Sequence, residues 1–133
     1  MDEFEEFPGV RQRPDEGFRR FFSTRYFDLM VWYSENGGIL TGFQLCYDKR
    51  GEERAVTFKL DEGAEVRSHR FVATGRSSDR SNAMTSILSG DAGSLPADVA
   101  EKFSAASASL QPEIVAFIGG VLRRFAAEAE API

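Results

Sequence analysis

From Tyr26 to Thr74 the chain changes side at almost every residue. In "YFDLMVWY", Phe27, Leu29, Val31 and Tyr33 alternate with Tyr26, Asp28, Met30 and Trp32. That is the period of a strand, not of a helix. "ENGG" follows, made of residues that tolerate positive φ and so suit a hairpin turn. A second run covers Ile39–Tyr47 and ends in "DKRG"; a third covers Glu52–Leu60 and ends in "DEG"; a fourth covers Ala64–Thr74. Strands joined by turns this short must run antiparallel and lie side by side. The pattern therefore predicts a four-stranded antiparallel meander.

The flanks predict helices. "PDEGFRRFFS" puts Pro14 and two acids at the start of a segment whose Phe18, Phe21 and Phe22 fall at helical spacing. This predicts a short N-terminal helix. Beyond the fourth strand, Ser94 and Pro96 open a segment in which Val99, Phe103, Ala106 and Leu110 share one helical face. Pro112 opens another, with Ile114, Ile118, Val121, Leu122 and Phe125 as its stripe and Gly119–Gly120 within it. The expected fold class is α+β: a four-stranded meander sheet, a short N-terminal helix, and C-terminal helices packed on one face. A chain of 133 residues fits one domain, 1–133. Residues 1–13 read as a leader that Phe4 and Phe7 can dock, and 75–95 as a loop-rich segment holding "NAMTSIL", either a helical turn or a short edge strand.

Composition narrows the function classes. The net charge is −5 with pI near 4.9, which disfavours binding to a nucleic-acid backbone. No apolar run approaches the roughly 18 residues of a membrane-spanning helix, and "MDEFEEFPG" has no secretory core, so a cytoplasmic protein is expected, with no membrane partner. A single Cys allows no intrachain disulfide, in keeping with a reducing compartment. One Cys and one His give no metal-ligand set, so no metal is expected. No cofactor is expected either: GxGxxG and GxxxxGK[ST] are both absent, and "GRSSDRSN" is a loop without the pattern of a phosphate cradle.

Hairpin pairing then sorts the side chains by face. Pairing Tyr33 with Ile39, Tyr47 with Glu52 and Leu60 with Ala64 collects one apolar face for the helices to cover. The other face collects Asp28, Trp32, Gln44, Cys46, Thr57, Arg67 and His69, with Lys59 opposite Glu65. Its mixture of polar and aromatic groups suits a ligand groove or a subunit contact. In this register Cys46 and His69 share a face but strand three separates them, so they do not form a nucleophile–base dyad. Asp28, Gln44 and His69 fall in one row, and an Asp28 adjacent to His69 would raise the imidazole pKa above its reference value of roughly 6.5.

The reading that results is a non-catalytic ligand-binding or protein-interaction module, expected as a homodimer through the Trp32 face or the Gly119–Gly120 helix. Its candidate ligand contacts, for a small polar molecule, are Asp28, Trp32, Gln44, Thr57, Arg67 and His69. The competing reading is a small enzyme with His69 as general base oriented by Asp28.

Overall fold

The computed structural model describes residues 3–13, 15, 17–72 and 88–130, side chains 128–130 excepted. The sheet has seven strands, not four: β1 Glu5–Phe7, β2 Phe18–Ser23, β3 Phe27–Tyr33, β4 Leu40–Tyr47, β5 Arg54–Asp61, β6 Ala64–Val72 and β7 Leu88–Asp91. They form one antiparallel meander in sequence order. Helix α1 (Asp98–Ala106) and the longer α2 (Pro112–Glu130) follow, joined through a 3-10 turn at Ser107–Ser109.

The three extra strands come from the flanks. "FRRFFS" is β2, not a helix, because both of its sides are buried. Phe22 enters the helix-covered core while Phe21 packs with Met30 and Trp32 on the other side. A strand buried on both faces loses the polar–apolar alternation that would announce it. Gly17 lets it start there, since a Cβ would run into the Tyr33 carbonyl. The leader supplies β1, which pairs Glu6 with Phe22; Phe4 is buried, and its N–H donates to the Ala106 carbonyl at 3.1 Å. The segment expected as loop supplies β7, which pairs Arg70 with Asp91 and Val72 with Leu88. "GRSSDRSN" and most of "NAMTSIL" lie outside the described residues.

The register departs from expectation by different amounts at the three central hairpins. Asp28 pairs with Cys46 and Met30 with Gln44, two residues from the expected partners. Tyr47 pairs with Arg54 instead of Glu52, again by two. A shift of two preserves faces. A bulge accommodates the first: Thr41 is the extra residue between the Trp32–Gly42 and Tyr33–Leu40 pairs.

The third hairpin shifts by one. Its turn is Glu62–Gly63, both with positive φ (51° and 84°), and it pairs Asp61 with Ala64. Two such residues make a tight turn whose twist matches that of the strands. Leu60, not Lys59, therefore stands opposite Glu65, and all of β6 is turned over. His69 now faces Val56, and Arg67 faces Phe58, on the helix side. Val66 points to the other side and is 53% exposed.

The main core lies between the sheet and the helices. Phe27, Leu29, Phe43, Leu45, Val56 and Phe58 meet Val99 and Phe103 of α1 and Ile114, Ile118 and Leu122 of α2. Each large apolar side chain so buried contributes about 1.5–3 kcal/mol. The opposite face is closed as well. Met30 and Trp32 pack with Phe21 and Val10, and Cys46 with Ala55, Val72 and Leu88. No helix among the described residues is long and apolar enough to cross a membrane.

Candidate functional site

The one-residue shift of β6 places His69 at the rim of the helix-covered face, where it joins β4 to the segment leading into α1. Gly93 O, which can only accept, lies 2.9 Å from Nδ1. Nδ1 therefore carries the proton and donates. Nε2 is left to accept from the Tyr47 hydroxyl at 2.6 Å. The two rings stack, with centroids 5.8 Å apart and an interplanar angle of 16°. The Arg54 guanidinium lies 4.8 Å above the Tyr47 ring.

This setting keeps the imidazole neutral. Burial holds the His69 pKa below the ordinary histidine value, and the nearby Arg54 charge adds to it; the Gly93 hydrogen bond and Asp91 oppose both. The expected upward shift from Asp28 is overturned because Asp28 lies on the other side of the sheet. Burial likewise pushes the Tyr47 phenol up to about 12. Both ring nitrogens are therefore engaged within the protein.

A cleft of about 400 Å³ opens beside this pair, lined by Arg67, Ser68 and His69 of β6, Asp91, Gly93, Ser94 and Leu95 of the following segment, and Phe125 of α2. Arg67 extends over the Phe125 ring at 5.2 Å. The Asp91 carboxylate accepts from the Gly93 N–H at 2.7 Å, which shapes the turn that presents Ser94. A second depression runs around the sheet edge, from Arg67 and Arg70 to Ser89 and Asp91. Arg67 and Arg70 thus flank this end of the sheet on its two sides, and the Ser89 hydroxyl donates to the Phe71 carbonyl at 3.2 Å.

The remaining candidates sit on the opposite face, each engaged with a neighbouring side chain. Asp28 forms a largely buried ion pair with Lys49 at 2.9 Å and accepts from the Ser23 hydroxyl at 2.8 Å. Thr57 donates to Gln44 at 3.1 Å. Lys59 places its ammonium 4.2 Å above the Trp32 ring, at the wall of a groove of about 410 Å³ that also includes Asp15, Thr41 and Val66. The six candidates thus divide four and two: Asp28, Trp32, Gln44 and Thr57 on one side, Arg67 and His69 on the other. Cys46 and His69 are on opposite faces and do not share one as expected. They are not hydrogen-bonded to each other, since both imidazole nitrogens are used elsewhere. Among the described residues no three His, Cys, Asp or Glu side chains converge as metal ligands.

No family model, curated protein or solved structure matches the chain.

Sequence reasoning missed Tyr47, Arg54, Asp91, Gly93, Ser94 and Phe125 at this site. Tyr47 and Phe125 read as core residues in alternating and helical patterns, and nothing local distinguishes them. Asp91 and Gly93 form an Asp-x-Gly turn, a signal that was present but gave no hint of its target. On α2, Phe117 packs edge-on against Phe43 and Phe58 and Val115 rests on the core, both partly buried, while a Cβ at Gly120 would meet nothing within 4 Å. The Arg123 side chain lies across buried Gly119.

Proposed function

We propose that the protein is a non-catalytic binding module and that it seats a small, polar, anion-bearing ligand in the cleft between β6, residues 91–95 and α2. The observation that carries this reading is the convergence of Arg67 and Ser94 with the apolar Leu95 and Phe125 on one cleft of about 400 Å³; Ser68 also borders it, with its side chain on the Thr57 side of the sheet. Small-molecule sites typically combine a few oriented polar groups with an apolar wall in a concavity of this size. A guanidinium offers a carboxylate or phosphate two parallel donors, and hydroxyls complete its coordination. Asp91, at the same rim, suits a hydroxyl or amine on the same ligand. The neutral, doubly engaged His69 favours binding over general-base chemistry, and Asp28, on the opposite face, cannot orient it.

The test is an NMR titration of the ¹⁵N-labelled full chain with a panel of small carboxylates and phosphate monoesters. Binding should move the amides of Ser68, Gly93 and Ser94. Arg67→Ala should remove the response, and Lys59→Ala, in the other groove, should leave it. Shifts confined to Trp32, Thr41 and Lys59, or no shifts from any member of the panel, would reject this cleft as the site.

A further inference from the structure

The outer edge of β6 carries a second kind of recognition. β7 pairs with β6 only at Arg70 and Val72, and the Ala92 N–H donates to His69 O at 2.8 Å. Before His69, no described strand runs along the outer side of Ala64–Ser68. Glu65, Val66 and Arg67 are all exposed there. An open strand edge with an exposed β-branched residue is a template for another strand.

The tight Glu62–Gly63 turn sets the phase of that edge. It makes Asp61–Ala64 the first pair of the β5–β6 ladder. Ala64, Val66 and Ser68 then bond inward to β5, while Glu65 and Arg67 direct their N–H and C=O groups outward. The outward bond of His69 O to Ala92 has the same phase.

We propose that this edge pairs antiparallel with the same edge of a second copy, about a two-fold axis at Val66. The phase allows three local registers: Glu65 against Glu65, Arg67 against Arg67, or Glu65 against Arg67. Only the third puts unlike charges opposite each other, and by symmetry it does so twice. It also sets Val66 against Val66 at the non-hydrogen-bonded pair, where cross-strand side chains are closest. The edge is thus complementary to itself in sequence, charge and hydrogen-bond phase. Arg67 lies along the Phe125 ring, and the Glu65–Arg124 pair, at 3.5 Å, leaves the Glu65 side chain 44% exposed. The seam ends where β7 begins, so it is short, and the dimer belongs to the weak, reversible class.

The test is sedimentation of the full chain up to about 1 mM, the concentration that matches the weak end of specific association. Wild type should show a reversible dimer. E65R and R67E should each weaken it about tenfold, by replacing both attractive cross-strand pairs with repulsive ones. The double variant E65R/R67E should restore it, and an equimolar mixture of the two single variants should form a heterodimer. V66K, which touches neither the core nor the cleft wall, should weaken the dimer while leaving ligand-induced shifts at Ser68 and Ser94 intact. That separates this seam from the cleft reading. A wild type that stays monomeric over the whole range would overturn the proposal. So would single variants that dimerise as wild type does, or a mixture no more associated than its parts.

Discussion

The two faces of the sheet are both buried, by different means. On the helix side, stacked aromatic and aliphatic side chains close the core, and the buried Tyr47–His69 pair lies at its rim. On the other side, apolar contacts are broken into two small clusters, and between them polar side chains pair across strands: Asp28 with Lys49, Gln44 with Thr57. Polar residues on a sheet face therefore do not by themselves mark a ligand site. Where they satisfy each other they replace the core. Arg67 and Ser94 instead meet at a rim, beside a cleft of about 400 Å³.

The largest expected difference between the faces is in truncation cost. Phe103, 1% exposed and in ring contact with Phe4 and Phe27, belongs to the continuous core. Phe103→Ala should cost about 3–5 kcal/mol in denaturant unfolding. Met30→Ala, in a smaller cluster, should cost less. Equal losses would mean that the second face is as much a core as the first.

The polar pairing can be broken from one side. Asp28→Ala strands the largely buried Lys49 ammonium and should cost about 3 kcal/mol. Replacing both partners, Asp28→Leu with Lys49→Met, should recover most of that loss. If the double replacement is no better than the single one, the hydrogen bond from Ser23, and not the Lys49 pair, dominates the role of the carboxylate.

The smallest effects lie at the rim. Tyr47→Phe removes the donor to His69 Nε2 and should cost about 1–2 kcal/mol. The His69 pKa is lowered in the folded state, so the unfolded chain binds the proton more readily. Stability should fall as pH drops below the unfolded value near 6.5, and the loss should level off below the folded pKa. His69→Gln should remove this part of the pH dependence, as measured by denaturant midpoints between neutral and mildly acidic pH. A wild-type profile that instead gains stability on acidification would place the imidazole beside an unseen carboxylate.

Four central strands and both C-terminal helices were legible in the sequence: the strands because "ENGG", "DKRG" and "DEG" bound them and polar residues such as Asp28, Gln44 and Thr57 fall on one side, even though β3 is buried on both faces, and the helices because each carries an apolar stripe. β3 to β6 alternate, and α1 and α2 carry apolar stripes bounded by Pro96 and Pro112. β2 was not legible: Phe21 and Phe22 are buried on opposite faces, which erases the alternation and leaves a helix-like spacing. β1 and β7 are three and four residues long, too short to show any period.

The sequence by itself determined where the central strands lie and which residues share a face within each strand. Only the tertiary structure decided how those faces combine, and the candidate site depended on that. Two hairpins moved by two residues, which changes rows and keeps faces. One moved by a single residue, because Glu62 and Gly63 both take positive φ and close the turn without Asp61. Side chains in a strand alternate with period two, so that one residue carried His69 and Arg67 from the face of Asp28 and Cys46 to the rim beneath α2.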